Sequence, residues 1–271
     1  MANGNKKRLR LFSPDRERSW IFPVLWEDDH LMALAKMSHI RITHDPEHPH
    51  RPALMTLLHH AIGQGEPWTT KRNVDFLSPV YRLDFEASGI VLLARNQGIQ
   101  AKLGDIFGAN QCRRTYFALV HGSPEEEMFE VEAKMGWIPR ESGLMRAHKT
   151  RGKKALSRFE VAERFAGFTL LKCHAKTDRR HQLRAHLQFA RLPVVGDALY
   201  GGQLLLLSKL KSSYRPRGDG TERPLMDRAA IHYSQLSFQH PLSGEHLEIA
   251  APCAPDMEVA LKYLRRYAHR I

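Results

Sequence analysis

Apolar positions along the chain keep two rhythms. Short apolar runs separated by polar turns predict strands. Phe22–Trp26 and Leu31–Ala35 flank Glu27-Asp28-Asp29-His30 as the arms of a hairpin-like pair, and Gly89–Ala94, following a polar loop, reads as a buried strand. Thr115–Val120, Phe129–Ala133, Ser157–Val161, Phe168–His174, Ile231–Phe238 and His246–Ala250 continue the strand series. Helical spacing governs Leu54–Ile62, Asn96–Phe107 with Asn96 as N-cap, Arg180–Phe189 with Leu183 and Leu187 one turn apart, and Asp256–Tyr267 capped by Asp256. Thr43–Pro52, rich in His, Pro and acids, reads as a loop. The pattern predicts one α+β domain over residues 21–271, with a long, mainly antiparallel bent sheet flanked by helices.

Two stretches break the rhythm. Residues 1–20 are charged and carry no apolar period, which predicts a basic tail, flexible or wrapped on a polyanion. Residues 203–228 hold Lys209, Lys211, Arg215, Arg217, Arg223 and two prolines, which predicts an exposed basic loop or insertion. Composition agrees with a folded chain, at 42 % hydrophobic and 26 % charged. With 41 Lys and Arg against 29 acids the net charge is +12, which favours a nucleic-acid partner. Cys112, Cys173 and Cys253 are odd in number and far apart, fitting neither a disulfide framework nor a zinc site, so reduced thiols and a cytoplasmic location are expected. No stretch approaches the ~20 apolar residues of a membrane span, and a monomer without a membrane partner is expected.

Two segments concentrate polar groups within apolar sequence. Val80-Tyr81-Arg82-Leu83-Asp84-Phe85-Glu86-Ala87-Ser88-Gly89 places an Arg and an Asp two residues apart before a buried strand. Alone, such a pair is what a surface salt bridge looks like, yet loops held by a rigid sheet also carry catalytic groups. Thr177-Asp178-Arg179-Arg180-His181-Gln182-Leu183-Arg184-Ala185-His186, continued by Pro193 to Gly201, gathers three arginines and two histidines around a helix start. That is an anion site, or a cation partner for a buried carboxylate.

These segments resemble the two signature motifs of the RluA-like family of pseudouridine synthases. The Arg-Leu-Asp step with its following hydroxyl-glycine pair stands at Arg82, Leu83, Asp84, Ser88 and Gly89. The Thr-Gly-Arg-x-His-Gln-hydrophobic-Arg helix, with its Gly-Asp-x-x-Tyr-Gly turn, is matched at Thr177, Arg179, His181 to Arg184 and Gly196 to Gly201. Arg114 to Gly122 and Ile231 to Pro241 resemble two weaker family segments, so the likeness runs from about Phe22 to Leu261. Tyr81, Ala87, Met37 and Asp178 depart from the usual His, Thr, Pro and Gly, as in a divergent branch. The family's frequent S4-like domain has no room before Ile21.

The resemblance implies isomerisation of uridine to pseudouridine in structured RNA, ribosomal or transfer, after the base has been flipped from its stack. The N1–C1′ bond breaks, the uracil turns, and C5 joins C1′. No redox change or group transfer occurs, so no cofactor is implied. Asp84 is the implied catalytic carboxylate, with Arg184 as its cation partner and Tyr116 against the uracil ring, able to relay the C5 proton. Arg82 is the implied residue inserted where the flipped base was, with Arg179, His181 and Gln182 as further RNA contacts. Two other readings differ from this one. A non-catalytic RNA-binding module would have lost Asp84, Tyr116 or Arg184, and a glycosidic hydrolase would want a second carboxylate, for which Glu86 is the near neighbour. Among sixteen histidines, His44, His48 and His50 or His59-His60 suggest a metal, but neither group has the i, i+4 His pair with an acid that a catalytic zinc site shows, so no metal is expected.

Overall fold

The computed structural model describes residues 8–47, 51–137, 144–215 and 220–268. In chain order the elements are β1 (Arg8–Phe12), β2 (Ser19–Glu27), β3 (Leu31–Lys36), α1 (Leu54–Gly63), α2 (Pro67–Thr70), β4 (Ser78–Pro79), β5 (Ser88–Ala94), α3 (Gln97–Gly108) and β6 (Cys112–His121). They continue with β7 (Met128–Trp137), β8 (Met145–His148), β9 (Lys153–Phe165), β10 (Phe168–Ala175), α4 (Gln182–Phe189), α5 (Leu207–Leu210), β11 (Ile231–Gln239), β12 (His246–Ala250) and α6 (Pro255–Tyr267). A 3₁₀ turn occupies Ala198–Tyr200. This is the α+β class expected, and every strand pairing with a resolved register is antiparallel.

The described residues form two compact units, one within 8–113 and 234–252, the other within 114–233 and 253–268. The first orders its strands β1-β2-β3-β5-β11, with β4 on β5 and β12 on β11. β5 is buried at all seven positions, which is why its sequence is an unbroken apolar run. Leu34, Phe22, Leu54, Leu58, Val91 and Leu93 lie in the core cluster of this unit. Asn96 caps α3 as expected, its side chain accepting from the Ile99 amide at 2.8 Å.

The tail expected over 1–20 is partly a strand. β1 pairs antiparallel with β2, from Arg8 opposite Pro23 to Phe12 opposite Ser19. Leu9 and Leu11 are fully buried while Arg8 and Arg10 point outward. Two apolar residues are too few to show a period in a charged stretch, but each contributes about 1.5–3 kcal/mol when buried. Lys6 and Lys7 of the tail lie outside the described residues.

The second unit orders its strands β11-β6-β10-β9-β7-β8, with Ile231–Tyr233 of β11 in this unit and Ser234–Gln239 in the first. The basic segment 203–228 is anchored at both ends. Leu205 bridges Met226 and both are buried, and Arg228 is buried in a two-pronged ion pair with Asp256 at 2.6 and 2.8 Å. Lys209, Arg215 and Arg223 between them are exposed, and Arg217 lies outside the described residues. Asp256 therefore is not the cap of α6. Ala254 holds that position, and Asp256 in the first turn serves Arg228 instead.

Candidate functional site

Asp84 stands in the loop between β4 and β5, half-buried, with its carbonyl accepting from the Ala87 amide at 3.2 Å. The loop has three fixings, and the Arg-Leu-Asp order follows from them. Leu83 packs against the core, leaving Arg82 exposed on one side and Asp84 half-buried on the other. Gly89 turns the chain into β5 at φ +117°, a backbone state that side chains resist. Lys36, at the end of β3 and opposite Gly89, is 2 % exposed and donates from Nζ to the carbonyls of Met37, Ile40 and Phe85 at 2.9, 2.8 and 3.4 Å. The His39 amide adds a bond to the same Phe85 carbonyl at 2.8 Å. The residue after Asp84 is thus held by a buried ammonium, which sequence reading passed over because a lysine ordinarily signals surface. Tyr81, the departure from the usual His, stacks on Phe107 and donates to the Ile90 carbonyl at 3.0 Å.

Tyr116 and Arg184 belong to the second unit. Tyr116 is half-exposed on β6, its ring stacked on Tyr233 with centroids 4.3 Å apart. Arg184 is buried in α4, and the carboxylate with which it forms a bidentate pair is Asp197, Nε to Oδ2 at 2.6 Å and Nη2 to Oδ1 at 2.7 Å. The Arg184 guanidinium also lies 5.0 Å from the Tyr200 ring centroid. Tyr200 in turn donates to the Met145 carbonyl at 3.0 Å and is bonded to His181 Nδ1 at 3.0 Å. The Gly-Asp-x-x-Tyr-Gly turn is therefore the partner of the arginine helix. A side chain at Gly196, where φ is +74°, would collide with the Arg228 carbonyl.

Helix α4 begins at Gln182 rather than Arg180, because His181 adopts a left-handed conformation at φ +53° that cannot continue a helix. Arg179 is exposed. Gln182 is not: it is 4 % exposed, accepts from Thr177 at 2.8 Å, and donates to the Leu156 carbonyl and to Ser157 at 3.0 and 2.9 Å. Its amide is spent on the protein, where it ties the helix start to β9 and to Thr177. The Asp178 departure has a local reason, since its exposed carboxylate pairs with the buried Arg114 at 3.0 Å. Among the described residues no group of three His, Cys, Asp or Glu side chains could hold a metal ion, and His48 and His50 lie outside them. No helix among the described residues is long and apolar enough to cross a membrane.

A mainly antiparallel α+β sheet with an Arg-Leu-Asp loop before β5, and an arginine helix locked by its own turn, make up a fold that solved pseudouridylate synthases share. The family described as RNA pseudouridylate synthase matches residues 30–189. The chain belongs to that family, and within it to the RluA-like group. It is 30 % identical to ribosomal large subunit pseudouridine synthase D of Xanthomonas campestris pv. campestris, over 91 % of this chain and 70 % of that protein. It is 31 % identical to the synthase D of Nitrosomonas europaea, over 91 % and 66 % respectively. The solved structure of human RNA pseudouridylate synthase domain containing 4 shares the fold, with a TM-score of 0.69 at 18 % identity over 89 % of this chain and 92 % of that one. The chain is accordingly an RNA pseudouridine synthase, an isomerase acting on RNA.

Proposed function

We propose that the chain isomerises specific uridines of ribosomal RNA, with Asp84 as the catalytic carboxylate. The observation that carries the reading is the placement of Asp84 on a half-buried loop fixed by Leu83, Gly89 and the buried ammonium of Lys36. Such a loop can hold a carboxylate at a set position while positive charge develops at C1′. The ribosomal target is favoured by the names of the 30 % and 31 % identical relatives.

In this reading the uridine leaves its stack, at a cost of a few kcal/mol, and Arg82 takes the vacated place. Asp84 acts at the anomeric centre. Arg184, oriented by Asp197, supplies positive charge, and the half-exposed Tyr116 packs on uracil and takes part in moving the C5 proton. Arg179 and His181 contact the RNA backbone. The reading includes a cytoplasmic monomer, the compartment following from three cysteines that lie far apart in the sequence, as reduced thiols do.

The test is release of tritium from ribosomal RNA labelled at uridine C5, prepared from cells lacking the gene, together with mapping of pseudouridines in those cells. Release with a missing ribosomal pseudouridine supports the reading. Free uracil would mean a hydrolase, no release from any RNA would mean a binding module, and release from transfer RNA alone would move the target.

A further inference from the structure

One side-chain cluster of the first unit has no place in the chemistry above. The ring of Phe85, the residue after Asp84, is half-buried, and the guanidinium carbons of Arg41 and Arg51 lie 5.7 and 5.2 Å from its centroid. The His39 ring stands at 5.4 Å, tilted by 55°. His39, Arg51 and Arg82 are exposed. Asp45 pairs with Arg41 at 2.7 Å and is half-buried, whereas Arg51 makes no ion pair with a described residue. Arg41 Nε is buried without a hydrogen-bond partner among the described residues.

Local packing explains this arrangement poorly. An exposed cation–π contact contributes only about 0.5–1 kcal/mol, against the side-chain freedom two long arginines lose in making it. What the ring does well is to restrict two guanidinium groups near one spot, where their planar donor forks suit the oxygens of a phosphodiester. The loop carrying His39 is joined to the Asp84 loop through the Phe85 carbonyl, so the cluster and the carboxylate are fixed together.

We propose that Phe85, Arg41 and Arg51 form an RNA clamp that grips the backbone phosphate of a nucleotide flanking the target uridine. The proposal rests on the synthase reading of Asp84 and names the contact that holds the substrate strand beside it. Phe85 positions the arginines, and Arg51 is the phosphate contact.

The experiment compares full-length wild type, Arg51→Gln, Phe85→Leu and Phe85→Trp. Affinity for an oligouridine strand of about twelve nucleotides is measured across a salt series, and kcat and KM are measured on ribosomal RNA from cells lacking the gene. Arg51→Gln should lower the salt slope by about 0.7, the share of one single-strand phosphate. Phe85→Leu should raise KM roughly tenfold while kcat falls no more than about threefold, and Phe85→Trp, which keeps an aromatic face, should restore KM. Arg51 is exposed, so its variant does not depend on whether Phe85→Leu folds well. An unchanged slope and KM in Arg51→Gln overturn the clamp while wild-type turnover leaves the synthase reading standing. A Phe85→Leu enzyme that loses kcat at unchanged KM overturns it too, since Phe85 would then only support the Asp84 loop. Wild-type protein inert on every RNA overturns both.

Discussion

Arg184 and Asp197 form a bidentate ion pair at 2.6 and 2.7 Å with both side chains almost wholly excluded from solvent, at 2 % and 1 % exposure. A buried pair of this kind is valuable chiefly in being complete. Its Coulomb energy is largely offset by desolvation, whereas removing one partner takes from the other buried charge its bidentate counter-ion. Asp197→Asn should therefore destabilise the protein by about 3–5 kcal/mol, visible as a lower urea midpoint. The double variant Arg184→Met, Asp197→Leu should recover most of that stability and remain inactive. A double variant as unstable as Asp197→Asn would show that the loss does not come from an orphaned charge.

Asp84→Asn should abolish tritium release while RNA affinity stays within about tenfold, because one carboxylate contributes far more to a transition state than to holding a polyanion. Turnover by the variant within about tenfold of wild type would remove Asp84 from the chemistry.

Tyr116→Phe keeps the ring stacked on Tyr233 and removes only the hydroxyl. RNA binding should persist while C5 proton release falls by about 10²–10⁴, the usual worth of a positioned proton relay. The measurement is single-turnover tritium release at saturating RNA, and an unchanged rate would leave Tyr116 as packing alone.

His186 is fully buried in α4 against the Ser157 hydroxyl at 3.0 Å, and burial pushes its imidazole down to about 4 from the ordinary 6.5. Below 6.5 the unfolded chain binds a proton that the folded chain refuses. Stability from this group is therefore complete above that value and drains as the pH falls toward 4. Replacing it by Asn should flatten the acid side of the stability curve relative to wild type. Melting temperatures taken down the acid range decide this, and parallel curves for the two proteins would refute it.

Deletion of residues 1–18 would remove the buried Leu9 and Leu11 together with the charges, so it cannot isolate RNA contact. Arg8→Gln with Arg10→Gln keeps strand β1 and should lower the salt slope of RNA binding by about 0.7 to 0.9 for each phosphate that these arginines neutralise. Leu9→Ala should leave that slope intact and cost about 2–5 kcal/mol in stability. An unaltered slope in the arginine variant would assign these charges to solubility.

The sequence by itself determined the strands and helices whose apolar spacing is regular, the Asn96 cap and the Arg82-Leu83-Asp84 loop before β5, because burial on a sheet or helix face writes a local period that needs no partner to be read. It could not show that Leu9 and Leu11 form a strand, that Gln182 faces inward, or that Asp256 serves Arg228 rather than capping its helix. Nor could it show that Lys36 is buried beneath the Asp84 loop, or that Asp197 forms a bidentate pair with Arg184. Each of these depends on which groups meet across long chain separations. A polar side chain looks the same in sequence whether water or a buried carbonyl satisfies it, and only the tertiary structure decides which of the two it finds.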